Sequence, residues 1–263
     1  MYDHFEALTV EREGGVVRVT LNNPPLNSTT PQLHFELSRV FKVINDDPQA
    51  RIVVLTGAGD RAFSAGGDIK KMVEGIDDHV RWSATMREAR DIVVGMLACD
   101  VPVIARINGH AVGLGATLAL CADITIMADG AKIGDTHVKV GLAAGDGGAL
   151  LWPHLVGLVA ARRFLLGGDL ITAREAFEAG LLTEVAPREE LDARVQTWVD
   201  KFLNTPGLAL RYTKRALNTA LRQQAEVYMD AHLGLETLTH LSADHREAVN
   251  ALAENRPPVF QRD

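Results

Sequence analysis

Short apolar runs rich in β-branched residues, each followed by a stretch of helical periodicity, constrain what the first half of this chain can fold into. Val16–Leu21 (V-V-R-V-T-L) alternates and reads as a strand. Residues 22–27 (N-N-P-P-L-N) end it, because neither proline can donate to a sheet ladder. Residues 30–45 read as a helix: Thr30 suits the N-cap, Pro31 the first helical position, and Leu33, Leu37, Val40, Phe41 and Ile44 form one apolar face. Residues 51–56 (R-I-V-V-L-T) read as a buried strand, followed by a helical stretch from about 79 to 99. A strand at 101–107, a helix at about 115–121 and short strands at 123–127 and 131–133 continue the alternation. Such alternation predicts an α/β architecture with crossover connections. Beyond about residue 145 the strands are expected to stop. Helices are expected at 147–155, 160–166, 172–179, 189–203, 208–220 and 225–241, with one more before Pro257 and Pro258.

Hydrophobic residues make up 47% of the 263, enough for a substantial core. The formal net charge of −7 argues against a general nucleic-acid or anionic-membrane surface. Cys99 and Cys121 are the only cysteines, and no C-x-x-C or Cys/His cluster points to a metal. The first ten residues are polar and mixed in charge, unlike a signal or transit peptide. No apolar run is expected to reach membrane-spanning length. The expectation is a cytoplasmic protein with no nucleic-acid or membrane partner.

Two glycine-bearing segments carry the functional signal, residues 62–70 (A-F-S-A-G-G-D-I-K) and 107–118 (I-N-G-H-A-V-G-L-G-A-T-L). Each can present backbone N–H groups at a turn, and a missing Cβ lets the backbone come close to a ligand. Two N–H groups from separate segments can converge on one carbonyl oxygen and stabilise negative charge there.

These segments stand in order with N-N-P-P-L-N, with V-V-L-T-G at 53–57, C-A-D-I at 121–124 and G-L-L-T-E-V at 180–185. On that set the chain resembles the enoyl-CoA hydratase/isomerase family, also called the crotonase superfamily, over nearly its whole length. The resemblance implies an α/β fold: a crotonase-like spiral of repeated β-β-α units over residues 1–190, and a C-terminal helical trimerisation region over 191–263. It implies an acyl-CoA thioester as substrate, with coenzyme A as part of the substrate and no tightly bound cofactor. It also implies a homotrimer or a hexamer made as a dimer of trimers, with the C-terminal helices covering neighbouring subunits. The backbone N–H groups of Gly67 and Leu114 would form an oxyanion hole. Ala65, Gly67, Asp68 and Ile69 would line the CoA through backbone groups, and Lys70 would sit near its phosphates. Arg256 and Phe260 would reach a neighbouring subunit's CoA. Fixed N–H dipoles favour the enolate over the neutral thioester, and one such donor is worth about 2.7–4 kcal/mol.

The chain departs from the family at its two catalytic glutamates. Thr117 stands at the first position and His137 at the second, so the two-glutamate handling of water is not available. His137 lies nine residues before Asp146, and the intervening stretch can carry the chain out and back beside the substrate. With an ordinary pKa of about 6.5, His137 can act as general base, and Asp146 can orient the imidazole or itself move a proton. Taken singly, Asp146 reads as a cap of the following helix and His137 as a loop histidine. Their joint location makes them the candidate catalytic pair. Thr117 can hold a water but is no base near neutral pH. His110 reads as structural, Trp82 and Met86 as pocket wall or core, and Glu74, Asp77 and Asp78 as a solvated loop. Leu26, Met72, Met86, Leu114, Leu142 and Trp152 suggest an apolar acyl pocket. Two alternatives stand beside hydration or isomerisation of an acyl-CoA. One is retro-Claisen C–C bond hydrolysis of a β-oxoacyl-CoA or β-diketone; the other is a non-catalytic acyl-CoA-binding homologue.

Overall fold

Apolar strands that cannot face water fix the centre of the molecule. The structure, a computed structural model, describes residues 1–260. In chain order its elements are β1 (Leu8–Glu13), β2 (Val16–Leu21), α1 (Pro31–Asn45), β3 (Ile52–Gly57), β4 (Ala62–Ser64), α2 (Ile69–Glu74), α3 (His79–Ala98), β5 (Val103–Ile107), β6 (His110–Val112) and α4 (Leu114–Leu120). They continue with β7 (Ile124–Ala128), β8 (Lys132–Gly134), α5 (Gly148–Gly167), β9 (Ile171–Thr172), α6 (Ala173–Glu178), β10 (Glu184–Ala186), α7 (Leu191–Leu203), α8 (Gly207–His240) and α9 (Ala243–Ala253). β3 is buried at all six positions, as a parallel strand covered on both faces must be.

The strands form two sheets, in the orders β1-β2-β3-β5-β7-β10 and β4-β6-β8-β9. β1 and β2 make an antiparallel hairpin, and the other pairs of the larger sheet are parallel. In the pairs β3/β4, β5/β6 and β7/β8 the first strand joins the larger sheet and the second the smaller, and helix follows. The chain therefore winds as a spiral of strand, strand and helix. α1 starts as its sequence dictates: Thr30 accepts from the Leu33 N–H and Pro31 takes the first turn.

Several expectations need correction. Strands do not stop near residue 145, since β9 and β10 close the smaller and larger sheets. α4 starts at Leu114, and α8 is one helix of 34 residues where two were expected. α5 runs across both helices expected at 147–166, but Gly157 inside it is non-helical at φ 73°. By length and composition α5 could cross a membrane, contrary to the expectation that no run would qualify. Pro153 and Gly157 interrupt it, and Leu150, Leu151 and Trp152 are buried in the core. Within this chain α8 packs on α3 and α9 on α2. Trp82 ties the first contact: its Nε1–H donates to Thr237 Oγ1 at 3.0 Å and its ring stacks on His240.

Candidate active site

The two glycine segments meet backbone to backbone. β4 ends at Ser64, whose hydroxyl donates to the Asn27 carbonyl and accepts from the Gly66 N–H. Gly66 has φ +75°, and a Cβ there would lie 2.7 Å from the Val112 carbonyl oxygen. A Cβ on Gly115 would lie 2.5 Å from the Ser64 carbonyl oxygen. The close approach brings the segments 64–66 and 112–115 together. Leu114 opens α4, so its N–H has no partner inside the helix. Among the described residues neither that N–H nor the Gly67 N–H donates to a protein acceptor. Gly67 and Leu114 line the same cavity of about 200 Å³.

His137 enters that cavity from a single 3-10 turn after β8. Its Nδ1 lies 2.6 Å from Asp135 Oδ1, and its Nε2 lies 3.3 Å from Asp146 Oδ2. The His137 backbone N–H also donates to Asp135 Oδ1. The imidazole thus sits between two carboxylates. Burial disfavours its cation, but the Asp135 and Asp146 charges outweigh burial and hold its pKa well above the ordinary 6.5. Burial pushes Asp135 up, and the His137 cation more than offsets this, keeping Asp135 below the usual aspartate range. The three ligand atoms lie within 4.8 Å of one another. Each imidazole nitrogen already faces a carboxylate, so a metal could bind only by breaking one of those pairs.

The sequence singled out one carboxylate for the imidazole, Asp146, and the structure brings two to it. Asp135, not Asp146, holds Nδ1; Asp146 sits on the opposite nitrogen. Asp146 does not cap α5, whose N-cap is Gly147 with no side-chain bond. Its Oδ1 is buried and without a hydrogen-bond partner among the described residues. Reading the sequence missed Asp135, although its place two residues before His137 was a usable signal. Glu236 on α8 was missed too, with no local signal: it is 3% exposed, lines the cavity and leaves Oε2 unpartnered.

Ala65, Gly67, Asp68 and Ile69 line the cavity, whereas Lys70 is exposed and does not; Lys71 does, paired with Glu74. Thr117 is buried beneath Gly147, whose Cβ position would lie 2.6 Å from its methyl, and it does not reach the cavity. Met72, Met86, Leu114 and Leu142 are wall residues as expected; Leu26 and Trp152 are not. His110 is structural, accepting from the Lys132 N–H. Arg256 is bound to Glu247 and Glu254 of its own chain, and it and Phe260 lie outside the cavity.

A family model described as enoyl-CoA hydratase/isomerase matches residues 11–263. The chain belongs to the enoyl-CoA hydratase/isomerase family. Its fold is shared with an enoyl-CoA hydratase/isomerase from Mycobacterium paratuberculosis, at TM-score 0.89 and 40% identity over 93% of this chain and 97% of that one. A crotonyl-CoA hydratase from Syntrophomonas wolfei is 31% identical over 97% of this chain and 98% of its own length. An (E)-benzylidenesuccinyl-CoA hydratase from Thauera aromatica is 32% identical over the same shares. As a member of this family the protein is an enzyme of acyl-CoA thioesters with the family's spiral fold.

Proposed function

We propose that this enoyl-CoA hydratase/isomerase family member adds water to an enoyl-CoA, or removes it from the hydroxyacyl-CoA, through a thioester enolate. One observation carries the reading: Gly67 and Leu114, with two uncommitted main-chain N–H groups, line one cavity with His137 and Asp146, while Asp135 holds His137 from behind the wall. Gly67 and Leu114 would hold the thioester oxygen as charge moves onto it. Asp146 would take the α-proton on its free Oδ1. His137, already protonated, would not be the base; it would hold Asp146 in place and stabilise the charge, with Asp135 fixing its ring. The relatives named as hydratases support this direction of chemistry.

A second reading follows from Thr117 and His137 standing where the family has glutamates. The same cluster could activate water against a β-oxo carbon, with the carbanion leaving as an enolate in the oxyanion hole. Incubation with crotonyl-CoA and with a cyclic β-ketoacyl-CoA separates the two. Hydration, with exchange of the α-proton in D2O, is expected from the wild type. Asp146→Asn should lower both at least ~100-fold while acyl-CoA binding persists. Ring opening without hydration would move the assignment to C–C hydrolysis. Tight binding with neither turnover nor exchange would make the chain a non-catalytic homologue.

A further inference from the structure

Glu236 has a place in the cavity that the base does not use. It comes from α8, some ninety residues along the chain from Asp146. Its carboxyl packs on the Asp146 loop, where a Cβ on Gly145 would lie 2.8 Å from its Oε2. That oxygen has no partner among the described residues. One turn along the same helix, His240 is 5% exposed and lines the same cavity, with the Ile76 backbone near its ring and neither ring nitrogen in good hydrogen-bond geometry with a described residue. A plain alkyl chain could satisfy none of these atoms, and leaving them unpaired against it is costly. An oxygen on the acyl chain satisfies them.

The charges around Glu236 agree with a donor. Burial and then the Asp146 carboxylate push its pKa up to about 8, with Asp135 adding to this and the His137 cation and the nearby Gly145 backbone opposing it. His240 and His245, which share the cavity, are pulled below the ordinary histidine range, chiefly by burial, so neither adds positive charge at neutral pH. A neutral carboxyl beside a set that carries net negative charge is the pattern of an acid next to its base.

We propose that Glu236 is the acid of this site: it hydrogen-bonds the oxygen on the β-carbon of the acyl chain and gives it a proton as the C–O bond breaks. The substrate class is then a β-oxygenated acyl-CoA. In dehydration the α C–H bond breaks, its proton goes to Asp146 Oδ1 and its electron pair enters the enolate. The enolate collapses to the C=C bond as the β C–O bond breaks. The Glu236 proton joins the departing hydroxyl, which leaves as water. A proton returned to Glu236 from Asp146 restores the site, so hydroxyacyl-CoA gives enoyl-CoA plus water. Hydration is the reverse.

This inference rests on the enolate reading above, and the experiment separates the two. Calorimetry with 3-hydroxybutyryl-CoA and butyryl-CoA reads the hydrogen bond alone. The wild type should prefer the hydroxy ester at least ~10-fold, about 1.4 kcal/mol. Glu236→Leu should erase the preference, whereas Glu236→Gln, which still donates, should keep it. Dehydration by Glu236→Gln should fall at least ~100-fold in kcat with KM little changed, while α-proton exchange stays at the wild-type rate. Equal binding of the two esters by the wild type, preference surviving in Glu236→Leu, or wild-type turnover by Glu236→Gln would each overturn the proposal. Loss of exchange together with turnover in Glu236→Gln would reduce Glu236 to a structural role and overturn it too. If the wild type itself exchanges no α-proton, the enolate reading fails, and the binding arm still decides whether Glu236 meets a β-oxygen.

Discussion

His137 is flanked by the Asp135 and Asp146 carboxylates, which raise its pKa well above the ordinary 6.5. The sign of the consequence follows from linkage. A histidine whose folded pKa lies above 6.5 contributes stability in full below that value, and the contribution is lost as pH rises through the raised one. Asp135, held below its ordinary 3.8, contributes above that value and loses the contribution on acidification. Glu236, at about 8 against 4.5 unfolded, keeps a proton the unfolded chain has shed, so stability falls between those values. Asp135 sets the acid edge near pH 4, Glu236 begins to cost stability above about 4.5 and His137 above about 6.5, so together they place the most stable range near roughly pH 4–4.5. The melting temperature should therefore decline from pH 6 to 9. Imidazole NMR should find both His137 ring nitrogens protonated at pH 7.5 in the wild type and the titration moved down in Asp135→Asn. A neutral His137 ring at pH 7 would overturn the proposal that Asp146, and not His137, is the base.

At the scale of elements, the two glycine loops proposed to form the oxyanion hole depend on backbone that only glycine adopts easily. Gly113 precedes α4 with φ 55° and ψ −123°, outside the regions open to other residues. There is room for a methyl: its Cβ would sit 3.6 Å from His137 Cε1. The cost of Gly113→Ala is therefore conformational, about 1–3 kcal/mol, and relief by rotation would re-aim the Leu114 N–H. Turnover should fall by at least ~10-fold with a modest drop in melting temperature; unchanged kcat would remove Leu114 from the oxyanion hole. These loops were legible in the sequence because their signal is local: two glycine turns, each after a buried strand. α1, with Thr30 and Pro31 at its start, and the buried β3 were legible for the same reason. β9 and β10 were not, because two- and three-residue strands are settled by the partner they meet, here β8 and β7. Glu236 was out of reach because nothing near it in sequence reports Asp146. Asp135 was within reach, since a carboxylate two residues before a histidine can bind both its N–H and its ring.

Across the whole molecule, the outer parts of α5 and α8 leave large apolar side chains in water. On the outer half of α5, Leu158, Val159 and Leu166 are 54%, 84% and 76% exposed, and on α8 Leu235 and Leu238 are 57% and 66%. Soluble monomers rarely leave patches this apolar in water, and a closed ring is the usual way to cover one face of every copy. The expected assembly is the family's trimer, or two trimers stacked. Both helices also reach the site: α5 begins at Gly148, where a Cβ would overlap Asp135 Oδ2, and Leu235 and Leu238 flank Glu236 in the sequence. Association should therefore steady Glu236 and the Asp135–His137–Asp146 cluster as well as hide leucines. Light scattering at micromolar concentration should give three or six chain masses. Leu158→Glu combined with Val159→Glu should give one, with helical circular dichroism retained and turnover lowered. A wild-type mass of a single chain, or a double variant that keeps the full assembly, would show that this face is covered by something other than a second copy.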